Sequence, residues 1–299
     1  ETHEIGEGES KFKIIIHNFP GKKELFADPS TALGEAYMTG DIELVGNLQE
    51  IVESIMRRNK SFLNESKLLG MLGKCSPAGK RKSERDIAHH YDIGNDFYAL
   101  WLDPTMSYSC AYFKTGSDNL YDAQMNKIHH ILKKLNLREG QTLLDIGCGW
   151  GFLAIEAAKK YRVRVLGITL SKEQLKKAQE RIKDEGLQVL VAVKLMDYRG
   201  LEKIGLKFDH VVSVGMAEHV GKANLPLYFK NVNAVLKETG LFLLHNITDV
   251  LETEVNGFIA KYIFPGGYIP SLREELYLAA DLGFHTIDIE SLRLHYMKT

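Results

Sequence analysis

The stretch LLDIGCGWG at residues 143–151 constrains this chain more than any other. An apolar run carries Asp145 near its end, glycines follow at alternate positions (Gly147, Gly149, Gly151), and a helical apolar period begins. Glycine permits close backbone approach and unusual dihedrals, so such a turn can lie against a ligand at the carboxyl end of a buried strand. A nucleotide-like ligand belongs there. The spacing is GxGxG rather than GxGxxG, and no lysine follows as in a phosphate-binding loop, so pyrophosphate cradling is the weaker reading. A plain strand-to-helix turn would need neither the Asp nor the periodicity on both sides.

Helical and strand patterns alternate around this turn. AQMNKIHHILKKL has helical spacing, TLLDIG reads as a short buried strand, GFLAIEAAKK as a helix, VRVLGI as a strand, and SKEQLKKAQERIKDE as a helix capped by Ser171. QVLVAV, FDHVVSV and GLFLLHNI read as further strands, with the helix ANLPLYFKNVNAVLK between the last two. Near-continuous apolar strands separated by helices imply a parallel sheet covered on both faces, a doubly wound α/β fold. Before it, KFKIIIHNF, a Pro20-Gly21 turn, GEAYMTGDIELVG and the helical LQEIVESIM suggest a small α+β domain over 1–74. GKCSPAGKRKSERD then marks a basic linker over 75–88, and the catalytic domain is expected over 89–299.

Lys and Arg number 38 against 39 Asp and Glu, so no global field favours nucleic acid. Cys75, Cys110 and Cys148 show no CxxC spacing, and the pairs His89-His90 and His129-His130 lack the i, i+4 spacing of a helical metal site. No metal is assigned. No window approaches the ~20 apolar residues of a membrane span, and ETHEIGEGES lacks signal-peptide character, so the cytoplasm is the simplest location.

The glycine motif with its Asp145 resembles that of the Rossmann-like S-adenosylmethionine-dependent methyltransferases. Most of that superfamily carry an acid for the ribose at the end of the second strand, whereas VLGITLSKEQ puts Thr169, Leu170, Ser171 and Gln174 there. Gln174 can offer a diol both a donor and an acceptor. Asp197 and Tyr198 of MDYR follow the third strand, where adenine is expected.

Three further stretches are more specific: HHYDIGNDFYALWLDPTMSYSCAYF, SVGMAEHVG, and LLHNI with KYIFPGGYIPS. With ITLSKEQ they resemble the cyclopropane fatty acid synthases, phospholipid-modifying and mycolic acid enzymes alike, from about His89 to Thr299. The resemblance implies methyl transfer from S-adenosylmethionine to a cis alkene, giving a carbocation that loses a proton from the new methyl to bicarbonate as the ring closes. It implies a carbonate cradle at Cys110, Glu218, His245, Ile247 and Tyr296, with Cys110 and Ile247 acting through backbone amides. Around the cofactor it implies Tyr108, Ser109, Asp145, Gly147, Gly149, Trp150, Thr169, Leu170, Gln174, Asp197 and Tyr198.

Elementary chemistry agrees with such an enzyme. An alkene is a feeble nucleophile, so the site must hold it near the sulfonium, exclude water and keep a base close. Tyr108 and Trp150 can face positive charge with their rings. Ionised Glu218 cannot donate to an anion, so it either shares a proton with bicarbonate or orients His245. Taken singly, Glu218 can cap a helix, Cys110 fill a core and His245 end a strand; the common register of the motifs favours the functional reading.

GEAYMTGD resembles a stretch in the N-terminal unit of the bacterial phospholipid synthases, which favours a phospholipid with an unsaturated acyl chain as substrate. Lys74, Lys80, Arg81, Lys82 and Arg85 can attract anionic headgroups at about 1 kcal/mol per charge, giving an enzyme peripherally associated with the inner face of the membrane. A solvated linker explains them equally well. The resemblance further implies a helical segment beyond the position of Thr299 that completes the acyl-channel wall. Oligomeric state stays open, a homodimer included. The rival readings are a small-molecule N-methyltransferase on the same scaffold, like the plant alkaloid enzymes, and a non-catalytic lipid-binding module.

Overall fold

The computed structural model describes residues 12–59 and 94–299. Contacts divide the chain into two units, Glu1–Ser76 with Asn256–Tyr262, and Pro77–Val255 with Ile263–Thr299. The basic linker, including Lys74, Lys80, Arg81, Lys82 and Arg85, lies outside the described residues.

In the first unit β1 (Lys13–Ile16) pairs antiparallel with β2 (Ile42–Val45), Lys13 facing Val45 and Ile16 facing Ile42. Between them run α1 (Lys22–Ala27) and α2 (Pro29–Thr39), and α3 (Leu48–Asn59) follows. Asp28 starts α2 by accepting the Thr31 amide at 3.1 Å, with Pro29 in the first turn where a missing N–H costs nothing. Gly34 leaves room for Phe258, since a Cβ there would stand 2.3 Å from that ring. Tyr262 donates to Glu35 at 2.6 Å and Lys261 pairs with the same carboxylate. The segment Asn256–Tyr262 thus belongs with residues more than 200 positions earlier.

The second unit runs α4 (Asn95–Ala99), α5 (Leu120–Lys134), β3 (Thr142–Ile146), α6 (Phe152–Tyr161), β4 (Arg164–Thr169), α7 (Lys172–Asp184), β5 (Val191–Leu195), β6 (Phe208–Val214), α8 (Leu225–Val235) and β7 (Leu236–His245). A short antiparallel pair, β8 (Thr253–Glu254) with β9 (Tyr268–Ile269), is followed by α9 (Leu272–Asp281) and α10 (Arg293–Tyr296). The large sheet is wholly parallel with strand order β5-β4-β3-β6-β7. This is the expected α/β Rossmann-like methyltransferase architecture. Ser171 caps α7 as expected, accepting the Gln174 amide at 3.2 Å.

Strand alternation sorts the core onto the two faces of the sheet. Leu143, Val165 and Val212 pack with Ile128, Leu132, Ile155 and Ile182 on one side; Leu144, Leu166 and Val211 pack with Tyr228, Phe229 and Val232 on the other. Each fully buried side chain of this size contributes roughly 1.5–3 kcal/mol. The same alternation puts Asp145 on the Leu143 face, the one covered by α5. Two boundaries differ from the sequence reading. Residues 188–190 form a turn, with the Leu190 and Val191 amides both donating to Leu187 O, so the third strand starts at Val191. The last strand starts at Leu236 rather than after the helix pattern ends at Lys237, because Leu236 already pairs with Phe208.

Candidate active site

A cavity opens at the carboxyl ends of β3, β4 and β6, where the strand order reverses: the chain runs outward from β3 to β4 and β5 on one side and then to β6 and β7 on the other. Of the residues that the resemblance places around the cofactor, Tyr108, Ser109, Asp145, Gly147, Gly149, Trp150, Thr169, Leu170, Gln174 and Tyr198 line it. The Gly147 and Cys148 amides both donate to Ile168 O, at 2.9 and 3.0 Å, and fix the glycine turn against β4. Gly147 has φ 78°, and a Cβ on it would meet the Met216 side chain at 2.9 Å. The open position is Gly149, where a Cβ would meet nothing within 4 Å and the backbone is accessible to a ligand.

Hydrogen bonds narrow what each polar group can offer. Thr169 Oγ1 donates to Gln174 Oε1 at 2.8 Å, so Gln174 keeps its NH2 for a ligand hydroxyl while its carbonyl is already engaged. Asp197 departs from expectation: it takes the Arg199 amide and guanidinium at 2.6–2.9 Å and does not line the cavity. The guanidinium two residues away occupies both oxygens of that carboxylate with charge-assisted hydrogen bonds. Tyr198 does reach the cavity, and burial pushes its hydroxyl up to about 12.

Aromatic rings wall the opposite side. Trp150 Nε1 donates to Asn95 Oδ1 at 2.7 Å, which orients its indole; Tyr98 lies 5.3 Å from it, and Tyr108 stands 5.9 Å from Tyr98 and 5.0 Å from Trp101. Phe264 stacks on Tyr108 at 6.3 Å. Two opposite charges are buried on the α5 side. Burial lowers Lys127 to about 8 and raises Asp145 to about 7. The cavity therefore combines an aromatic wall, donors suited to hydroxyls, and one buried group of each sign. That set fits an adenosyl amino acid carrying a sulfonium.

Beside it the chain gathers a second group. Glu218 sits in a short 3₁₀ turn after β6, and its Oε1 accepts the Ile247 amide at 2.7 Å. Its Oε2 is buried with no hydrogen-bond partner among the described residues, and burial raises its pKa. The Ile247 amide is thus committed to Glu218, which corrects the expectation that it faces an anion. His245 ends β7, and burial lowers it to about 4, so its imidazole is neutral at physiological pH. No hydrogen bond joins it to Glu218, which excludes an orienting contact in this structure. Cys110 is buried with a raised thiol pKa, and among the described residues its amide has no acceptor. Tyr296, on α10, has its hydroxyl raised by burial and by nearby Glu218, Tyr108 and Cys110.

Sequence reasoning missed several participants. Lys127 falls on the buried stripe of α5 with Ala123, Ile128 and Ile131, and a lysine in that register was a readable signal. Asn95, Tyr98 and Phe264 act through long-range contacts that no local pattern announces. A further buried carboxyl, Glu275 on α9, accepts from Asn246 at 2.6 Å and is pushed up to about 7 by burial.

Comparison with known proteins is consistent with this geometry. A family model described as mycolic acid cyclopropane synthetase matches residues 78–299, and one described as a domain of unknown function matches residues 1–67. A probable fatty acid methyltransferase of Pseudomonas putida is 43% identical over 277 residues, covering 89% of this chain and 68% of the relative. The cyclopropane-fatty-acyl-phospholipid synthase of Escherichia coli K12 is 41% identical over 273 residues, covering 89% and 69%. The crystal structure of mycolic acid cyclopropane synthase CmaA1 complexed with SAH and CTAB superposes with a TM-score of 0.67 at 36% identity, covering 72% of this chain and 79% of that one.

Proposed function

The chain belongs to the mycolic acid cyclopropane synthetase family, and from that premise we propose that it closes a cyclopropane ring across a cis double bond of a phospholipid acyl chain, with bicarbonate as the base. That it is an S-adenosylmethionine-dependent methyltransferase of the cyclopropane synthase type follows from the family. When bound, S-adenosylmethionine supplies an electrophilic methyl group and bicarbonate supplies the proton acceptor.

The observation that carries the bicarbonate reading is the buried, unpartnered Oε2 of Glu218. An unsatisfied buried carboxyl oxygen costs free energy unless a ligand completes it. With its pKa raised by burial, Glu218 can hold a proton and donate it in a hydrogen bond to an anion while Oε1 stays anchored on the Ile247 amide. Neutral His245, the Cys110 amide and the Tyr296 hydroxyl supply further donors. Tyr108 and Trp150 present ring faces that tolerate developing positive charge and keep water away.

The phospholipid assignment is supported by the likeness to a phospholipid synthase over 89% of the chain. No helix among the described residues is long and apolar enough to cross a membrane. In this reading the enzyme sits against the inner face of the membrane, where its lipid substrate lies. The first unit leaves Phe19, Phe26 and Met38 exposed, at 62%, 73% and 59%, apolar side chains available to a lipid surface.

Bicarbonate dependence tests the base directly. After the protein is dialysed against buffer stripped of carbon dioxide, turnover on unsaturated phospholipid vesicles falls and returns on titration with bicarbonate. Full turnover in the depleted sample, with no response to added bicarbonate, contradicts the assignment.

A further inference from the structure

Lys127 is 4% exposed, on the face of α5 that packs against the sheet, and it lines the cavity formed by the glycine turn. Its ammonium donates to Ser109 Oγ at 2.9 Å, and among the described residues no carboxylate is in ion-pair contact with it. Asp145 is 3% exposed, lines the same cavity, and is likewise outside ion-pair contact with any cation among the described residues. Two buried charges of opposite sign therefore border one cavity without joining each other. Each is costly to bury alone. Both groups are displaced towards their neutral forms, as unpaired burial requires. A ligand that brings a carboxylate to Lys127 satisfies the unpaired cation.

We propose that Lys127 binds the α-carboxylate of S-adenosylmethionine, with Ser109 Oγ fixing the direction of its ammonium. This deepens the proposed function and rests on the cavity being the cofactor site. An oxyanion from bicarbonate is the competing source, since His245 and Cys110 feel the Lys127 charge. The cavity favours the cofactor, because Lys127, Ser109 and Asp145 line it together with the glycine turn whereas Cys110, Glu218 and His245 do not.

The test is calorimetric binding of S-adenosylhomocysteine and of 5′-methylthioadenosine, which keeps the nucleoside and sulfur but lacks the amino-acid end. Replacing Lys127→Met weakens S-adenosylhomocysteine by about 10- to 100-fold, the range for a lost charge-assisted hydrogen bond, and leaves methylthioadenosine within about twofold. Retained methylthioadenosine binding also shows that the variant's pocket is intact. Equal weakening of both ligands, or of neither, overturns the proposal, as does a K127M variant that binds both normally and loses only its response to bicarbonate. The unaltered protein gives a second measurement: S-adenosylhomocysteine binds at least ~10-fold more tightly than its decarboxylated analogue, and equal affinities overturn the proposal. Binding of none of these ligands by the unaltered protein would instead remove the cofactor reading itself.

Discussion

Gly147→Val abolishes measurable S-adenosylmethionine binding in a protein that still folds. Gly147 adopts φ 78°, a left-handed conformation that costs an ordinary side chain roughly 1–2 kcal/mol and a β-branched one more. Its new Cβ would stand 2.9 Å from the Met216 side chain, closer than atoms tolerate, and the isopropyl group adds to the crowding, so Met216 or the turn must shift. Shifting the turn breaks the paired amides of Gly147 and Cys148 on Ile168 O and moves Gly149 away from its ligand-facing position. The affinity loss is at least about 100-fold, on the order of 3 kcal/mol. Calorimetry reads the binding and circular dichroism the fold. A folded variant with unaltered affinity would mean that the cofactor lies elsewhere. The reason differs from the one that the sequence suggested, because the space beyond Gly147 belongs to Met216 rather than to the ligand.

Glu218→Ala lowers kcat by roughly 10²–10⁴-fold, the range for losing a group that handles a proton in the transition state. S-adenosylhomocysteine affinity stays close to that of the unaltered protein, since Glu218 does not line the cofactor cavity. Glu218→Gln separates donor from proton carrier. Its carbonyl can keep the Ile247 amide and its NH2 can still donate to an anion, but it cannot give up a proton. We expect the Gln variant to recover part of the lost rate and bicarbonate affinity, with a flatter pH profile. If Gln and Ala behave alike while bicarbonate affinity is unchanged in both, Glu218 is a structural anchor for Ile247 and no more.

Local pattern carried the sheet well because its central strands are apolar runs buried on both faces and helices such as α7 begin at a polar cap. FDHVVSV is the observed β6 residue for residue, and Ser171 caps α7. The glycine turn was legible for the same reason: its dihedrals need glycine and its place after a buried strand is set by topology. What escaped were matters of competition and distance. Asp197 is taken by Arg199, and the Ile247 amide by Glu218, choices that depend on geometry rather than on residue type. Lys127 sits in a stretch read only for its helical spacing, and its burial in the cavity that Asp145 also lines depends on how α5 packs on the sheet. The return of Asn256–Tyr262 to the first unit depends on Phe258 finding Gly34, a pairing that no local window contains.

The central claim is that a methyl group becomes the ring carbon of a lipid cyclopropane and loses one proton in doing so. Vesicles of a phospholipid with a cis-unsaturated chain are incubated with the protein and S-adenosylmethionine carrying a fully deuterated methyl, and the released acyl chains are analysed by mass spectrometry. The expected acyl chains gain one carbon, lose their double bond and retain two of the three deuterium atoms. Retention of all three would mean methyl transfer without ring closure by that proton loss. Label found in a soluble amine, with the lipid unchanged, would contradict the account outright.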